Sequence, residues 1–342
     1  MYYVGLDVHK KSIAYCVKQP DGAMVCEGTV AARREDLEVW AARLPQPWAG
    51  AMEATLFSDW VHDHLRPFAA ALKMGHPARM RALAASKKKT DQLDARTICD
   101  LLRCDLLPPA YVMPPHLRQL RRVLRYRNLL VRASVQMQNK IAGLRLEMGV
   151  EYDTPRLHRK KYFGQLIEQK HAEIPASARR LLAFSREQYE TLHRMELQLL
   201  RGLEQHPDIA ARVARLMTIA GVGPVLGLTW ALEVGPVERL GNLSRAISFC
   251  GLCSALRESA GKHTRGPISK QRNVHLQTVL IEAAHLAPRW NPLLAHVRER
   301  EIQRGHRNRA TLAVARKLVA FLMAADRGHQ PYPHAAPVPA AA

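Results

Sequence analysis

Hydrophobic and polar positions alternate in two rhythms over the first hundred residues. Tyr2–Asp7 is a short apolar run, and Ser12–Lys18 and Met24–Val30 have strand spacing, joined across Pro20-Asp21-Gly22, a strong turn signal. Leu37, Trp40 and Leu44 recur on one face of a helix over Glu35–Leu44. Trp48–Glu53 predicts a further strand, Trp60–Leu65 a helix, and Ala69–Met74 another strand. Three early strands followed by β-α-β units predict a mixed sheet flanked by helices.

The pattern changes after Pro114-Pro115. His116–Leu146 reads as one long helix, with Leu117, Leu120, Leu124 and Val131 on a heptad-like seam that Arg127, Ser134 and Gln138 interrupt. A second helix over Ala176–Gln205 carries Leu181, Leu182, Leu192, Leu199 and Leu200, and the two are expected to pair as an antiparallel, coiled-coil-like arm. From Ile209 a third region begins. Its Gly221-Val-Gly223-Pro224 resembles the turn of a helix-hairpin-helix, where backbone amides approach a phosphate; a glycine-rich turn between two packed helices reads almost equally well. Val274–Leu286 and Ala310–Ala325 are helical by spacing. The expected boundaries are 1–112, 113–207 and 208–327, with a disordered tail rich in Pro and Ala at 328–342.

Charge adds a partner. Fifty-one Lys and Arg against 30 Asp and Glu give a net +21, a self-repelling excess that a polyanion relieves, so nucleic acid is the expected partner. The excess is concentrated on the long helix: His116–Leu146 holds eight Lys or Arg and no acid, and Arg118, Arg121, Arg122 and Arg125 are expected to meet phosphates. A hydrophobic content of 47% excludes a largely disordered chain. No apolar run approaches the ~18–20 residues that span a bilayer, and the first residues lack the order of a signal peptide, so a cytoplasmic location with no membrane contact is expected. Of the cysteines at 16, 26, 99, 104, 250 and 253, only Cys250 and Cys253 form a CxxC, so buried free thiols are expected rather than a zinc site or a disulfide.

Acidic residues supply candidate chemistry. Asp7 ends the first strand, Glu53 ends a later one, and Asp91 and Asp94 stand i, i+3 at the start of a helix. Strand ends of such a sheet point to one edge. Four carboxylates gathered there would raise one another's pKa unless a cation held them, and an all-oxygen donor set selects Mg²⁺ or Mn²⁺. Two such ions about 4 Å apart can clamp the attacking and leaving oxygens of a phosphodiester. Each acid alone reads as an ordinary surface or capping residue. Together they follow the acid plan of RNase H-like and RuvC-like nucleases.

The wording around these acids is more specific. Gly-Leu-Asp7-Val-His-Lys and Lys-Lys-Thr-Asp91-Gln-Leu-Asp94-Ala resemble the four-acid (DEDD) blocks of the insertion-sequence transposases called the IS one-ten family. A later block, from Phe249-Cys-Gly-Leu through Ser259-Ala-Gly to Gly266-Pro-Ile-Ser269-Lys270, is similar to that family's second motif. Ser254, Ala260 and Arg272 depart from the family pattern. The resemblance implies a RuvC-like (RNase H-like) α/β N-terminal domain, a helical coiled-coil arm and a mostly helical C-terminal transposase domain. It implies Asp7, Glu53, Asp91 and Asp94 as catalytic metal ligands, and Ser259 as a nucleophile that attacks phosphorus, with Ser269 as runner-up. Lys262, Arg265 and Lys270 would steady the developing charge, and Lys87, Lys88 and Lys89 would meet the nucleic-acid backbone. The partners it implies are donor and target DNA, a noncoding bridge RNA that pairs with both, and further copies of the chain, dimers joining into a tetramer. A junction-resolving nuclease that uses water, or a basic nucleic-acid-binding protein without catalysis, are the competing expectations.

Overall fold

The computed structural model of the chain describes residues 1–83, 90–259 and 262–332. It divides into two compact units, Met1–Pro115 and His116–Ala342.

The first unit is built on a five-stranded mixed sheet. Its strands are β1 (Tyr2–Val8), β2 (Ser12–Lys18), β3 (Met24–Ala31), β4 (Trp48–Glu53) and β5 (Ala71–Gly75), in the order β3-β2-β1-β4-β5. β2 runs antiparallel to both of its neighbours, whereas β1, β4 and β5 are parallel. All five expected strands form, with ends displaced by a residue or two. Alternation gives the sheet two different faces. Val4, Leu6, Val8, Ile13, Val17, Trp48 and Met52 form a large apolar face under α1 (Arg34–Arg43) and α2 (Ser58–Leu65). The other face carries small residues. Gly5, Ala14, Cys16, Ala49 and Ala51 lie there, followed along the chain by α3 (Pro77–Leu83) and covered by α4 (Asp91–Arg103) through Ala95, Ile98, Cys99 and Leu102.

Small residues let α4 come very close. A Cβ at Gly5 would stand 2.1 Å from the Ala95 carbonyl oxygen and 2.4 Å from the Cys99 amide nitrogen, both backbone atoms. Polar tethers fix the helix along its length. Lys18 pairs with Asp100 at 2.6 Å, Arg96 with Glu27 at 2.6 Å, and Gln92 donates to the Gly28 carbonyl at 2.8 Å.

The second unit contains α5 (Pro115–Glu147), α6 (Lys160–Gln169), α7 (Ala176–Glu204), α8 (Pro207–Leu216), α9 (Pro224–Val234), α10 (Leu243–Phe249), a β6–β7 hairpin (Ser254–Ser259 and Lys262–Ile268), α11 (Val274–Leu286), α12 (Pro292–Gln303) and α13 (Arg307–Arg327). The long basic helix and its later companion form as expected, but the seam serves another purpose. Leu120 and Leu124 join Leu203 in a core with Leu216, Trp230, Leu276 and Leu318, so the base of α5 packs into the C-terminal helices. Its far end has a separate core of Ile141, Leu144, Phe163, Leu166 and Leu182. Between these cores Arg127 of α5 bonds Glu196 of α7. The hairpin was not expected from helical periodicity. Gly328–Tyr332, expected to be disordered, is placed: the Tyr332 ring lies 4.8 Å from that of Phe321, and its amide donates to Thr218 Oγ1 at 2.9 Å. Residues 333–342 lie outside the described residues.

A buried acid ties α5, α9 and α11 together. Glu233, in the otherwise apolar α9, is 2% exposed and accepts two 2.8 Å bonds from Arg125 of α5 and one of 2.8 Å from the Asn273 amide. Asn273 also caps α11. Burial alone would push the Glu233 carboxyl up, but the bonds and charge of Arg125 with the Asn273 bond outweigh it and hold the group below its ordinary range.

Two stability predictions follow from these contacts. Gly5→Ala would drive a methyl into helix backbone and cost about 1–3 kcal/mol or more in urea unfolding; an unchanged midpoint would contradict the close approach. Arg125→Ala strands a buried carboxylate and should cost about 3 kcal/mol at pH 7, more than Glu233→Gln. Because the folded carboxyl titrates low, the network's contribution is full above the ordinary Glu range and fades as pH falls through the folded value. The Arg125→Ala penalty should therefore shrink on acidification, and a penalty that grows there would contradict the network.

Candidate active site

Sheet register brings the first two acids together. β1 and β4 are parallel with Leu6 opposite Met52, so the next residues, Asp7 and Glu53, stand side by side at the strands' C-terminal edge. Both share the face of Gly5 and Ala51, the face that α4 covers. The start of α4 supplies the other two. Thr90 is its N-cap, accepting from the Leu93 amide at 3.3 Å, and Asp91 and Asp94 fall in the first turn, where the helix dipole favours acids.

Asp7, Asp91 and His9 present ligand atoms that all lie within 4.8 Å of one another. His9 Nε2 is 3.0 Å from Asp7 Oδ2 and 3.4 Å from Asp91 Oδ1, so one ring nitrogen spans the gap between two acids. Asp7 is largely buried, with 13% of its side chain exposed, whereas Asp91 is open at 63%. Burial raises the Asp7 pKa; His9 opposes this by charge and hydrogen bond, and the charges of Asp94 and Asp91 push it up further. Asp94 therefore acts on Asp7 electrostatically. Glu53 sits beside Asp7 by register but outside the three-residue ligand cluster. These donors fit a hard divalent cation, because carboxylate oxygens dominate and their mutual repulsion calls for positive charge between them. His9 escaped assignment from sequence although it stands two residues beyond Asp7, the strand spacing that returns a side chain to the same face.

The other expected residues fall elsewhere. Ser259 ends β6 at the turn of the hairpin, paired in register with Lys262. The side chains of Ser259, Lys262 and Arg265 and all of Lys87, Lys88 and Lys89 lie outside the described residues. Lys270 is exposed after β7. On α5, Arg122 is exposed and Arg121 partly so, Arg118 is 8% exposed, and Arg125 keeps 44% of its side chain exposed while its guanidinium bonds Glu233. The helix-hairpin-helix turn has a packing explanation at its first glycine. Gly221, at φ +94°, presses on Ala287, and a Cβ there would stand 2.5 Å from that residue's own.

Comparison with known proteins identifies the chain's relatives. A family model described as a transposase of the IS110 DEDD type matches residues 4–147, spanning the sheet, the acids and α5. A second, "Transposase IS116/IS110/IS902 family", matches 213–298, the region that holds the hairpin. The chain belongs to the IS110 family of transposases. Family members cut and rejoin DNA, and DNA is accordingly this transposase's substrate. It is similar to a probable family 20 transposase of Pseudomonas aeruginosa, 25% identical over 94% of this chain and 95% of the relative. It is also similar to an insertion-sequence transposase of Yersinia enterocolitica, 24% identical over 92% and 93% of the two chains. A third, the transposase of an insertion sequence of Coxiella burnetii, is 27% identical over 59% and 57%. The DEDD model carries an RNase H-like fold, with which the mixed five-stranded sheet is compatible, and points to use of a divalent metal. Among the described residues, no helix is long and apolar enough to cross a membrane.

Asp7→Asn and Asp91→Asn should each weaken Mn²⁺ binding to the full chain by about tenfold or more, roughly 1.4 kcal/mol by calorimetry. Affinity unchanged in both variants would remove this cluster as a cation site.

Proposed function

We propose that this transposase moves its element by metal-assisted strand exchange, with Asp7, Glu53, Asp91 and Asp94 holding Mg²⁺ or Mn²⁺ and Ser259 as the nucleophile. The observation that carries the reading is the gathering of Asp7 and Asp91, with Asp94 in electrostatic reach, at one edge of the sheet. Ions bound there supply Lewis acidity to a phosphodiester. The carboxylates would hold the cation at the sheet edge, and Asp7, far less exposed than Asp91, would be the anchor. Ser259 would attack phosphorus: an Oγ–P bond forms, the bond from phosphorus to a sugar oxygen breaks, and the serine proton ends on that oxygen. The phosphoserine conserves the phosphodiester, and a sugar hydroxyl of the new partner strand reverses the step. Lys262, Arg265 and Lys270 would balance charge on the transferring phosphoryl group.

Binding roles extend the reading. Arg121, Arg122 and Arg125 of α5, together with Lys87, Lys88 and Lys89, would track the phosphate backbone, Arg125 while it also bonds Glu233. The domains would be a RuvC-like catalytic domain (1–112), a helical arm (113–207) and a C-terminal transposase domain (208–327). The likeness to insertion-sequence transposases supports donor and target DNA as joint substrates. A noncoding bridge RNA pairing with both, and an assembly of dimers into a tetramer, complete the proposed machine.

Two experiments test it. Ser259→Ala should abolish the covalent protein–DNA adduct trapped in denaturing gels and lower strand exchange by about 10³-fold or more, with DNA binding retained. Cutting without an adduct in that variant would make water the nucleophile and the protein a junction nuclease. Recombination between donor and target plasmids should require RNA transcribed from the element's flank; equal yield without it would remove the guide.

A further inference from the structure

A cleft of about 860 Å³ runs along α7 in the second unit, away from any residue assigned above. His158, from the connection between α5 and α6, lines one side; Arg186, Tyr189, His193, Arg194 and Arg201 of α7 supply much of the rest. Tyr189 and His193 are one helical turn apart and their rings are 7° from parallel, with centroids 5.8 Å apart. The His158 ring stands 5.8 Å from Tyr189 on a tilt of 49°. Three flat rings thus form a row. Arg186 lies 5.2 Å from the Tyr189 ring centre and 5.3 Å from that of Phe163, pinned by Glu190 at 2.7 Å and by the His158 carbonyl at 2.8 Å.

The rest of the lining narrows the choice of occupant. Glu190 is the one acid among the lining residues and is paired with Arg186, whereas Arg194 and Arg201 are exposed cations in the same cleft. Seven helical residues separate that pair by about 10 Å, the span of a short stretch of strand rather than of a single ion. His158 Nδ1 is buried and finds no hydrogen-bond partner among the described residues, so that side of the ring is turned from solvent. Leu197 is the one aliphatic side chain in the lining. A protein helix seated here would find little to bury. Aromatic faces alternating with guanidinium groups instead suit unpaired bases, which stack on rings while their phosphates meet cations.

We propose that this cleft binds an unpaired stretch of nucleic acid, with a base stacked on the Tyr189–His193 pair and phosphates on Arg194 and Arg201. The inference rests on the reading of this chain as a nucleic-acid enzyme, but not on the acids or on Ser259. Fluorescence anisotropy of the full chain in EDTA, with labelled twelve-nucleotide oligouridine, oligodeoxythymidine and a twelve-base-pair duplex, tests it without catalysis. Tyr189→Ala should weaken single-strand binding about tenfold or more and leave duplex binding within twofold. Tyr189→Phe, which keeps the ring, should restore it. The surface double variant Arg194→Ser/Arg201→Ser should lower the salt dependence of single-strand affinity by about one to two ions. Tighter binding of oligouridine assigns the occupant to RNA, and tighter binding of oligodeoxythymidine to a displaced DNA strand. Single-strand affinity unchanged in Tyr189→Ala and in the double variant would overturn the proposal. So would an altered sedimentation mass of Tyr189→Ala with unaltered affinity, which would give the cleft to a second copy of the chain. Failure of the wild-type chain to bind the duplex would count against the strand-exchange reading instead.

Discussion

The placement of α4 against β1 at Gly5 is the contact on which the acid site depends. A helix starting with Asp91 and Asp94 can meet Asp7 because nothing larger than hydrogen separates Gly5 from the Ala95 carbonyl and the Cys99 amide. Ala14, Cys16, Ala49 and Ala51 keep the surrounding surface equally low. The opposite face carries Trp48, Leu6 and Met52 and could not admit a helix so closely. The two faces of the sheet thus differ: one supplies apolar burial, and the other trades side-chain volume for backbone proximity. The ion pairs of Lys18 with Asp100 and Arg96 with Glu27 then fix the helix on its bed, so that the acids of its first turn stay at the strand ends.

In the second unit, buried charge holds apolar helices in register. Glu233 joins α5 to the cap of α11, just beyond the hairpin that ends at Ile268, so that the long basic helix and the segment following Ser259 share one carboxylate. Asp326 does similar work further along, accepting from Trp230 at 2.9 Å and from Arg212. Neither acid reaches solvent to any extent, and each is matched by arginine, the arrangement that makes a buried carboxylate tolerable.

Much of the first unit was legible in the sequence because its signals are local. Strand alternation, the turn at Pro20-Asp21-Gly22, and acids at the ends of Tyr2–Val8 and Trp48–Glu53 follow from neighbours a few residues apart. The pairing of Asp7 with His9 and Asp91 was only half legible. The strand spacing of His9 was visible, but its position between two acids depends on where α4 lands, and that is set by Gly5. In the second unit the long helices could be read from their period, whereas the use of Leu120 and Leu124 could not: a heptad seam looks the same whether it meets one helix or a whole core. The bond of Arg125 to Glu233 was hidden for the same reason, since the sequence of α5 carries no trace of the carboxylate on α9. The hairpin hid behind Gly266 and Pro267 in a segment with little alternation to reveal its strands.

An anomalous-difference map from crystals of the full chain grown with Mn²⁺ tests the central claim most directly. Density for the ion among Asp7, Glu53, Asp91 and Asp94, at the strand ends beneath the first turn of α4, is the result expected. Manganese bound elsewhere while those four side chains remain bare, in crystals whose protein is active with the same ion, would contradict the account.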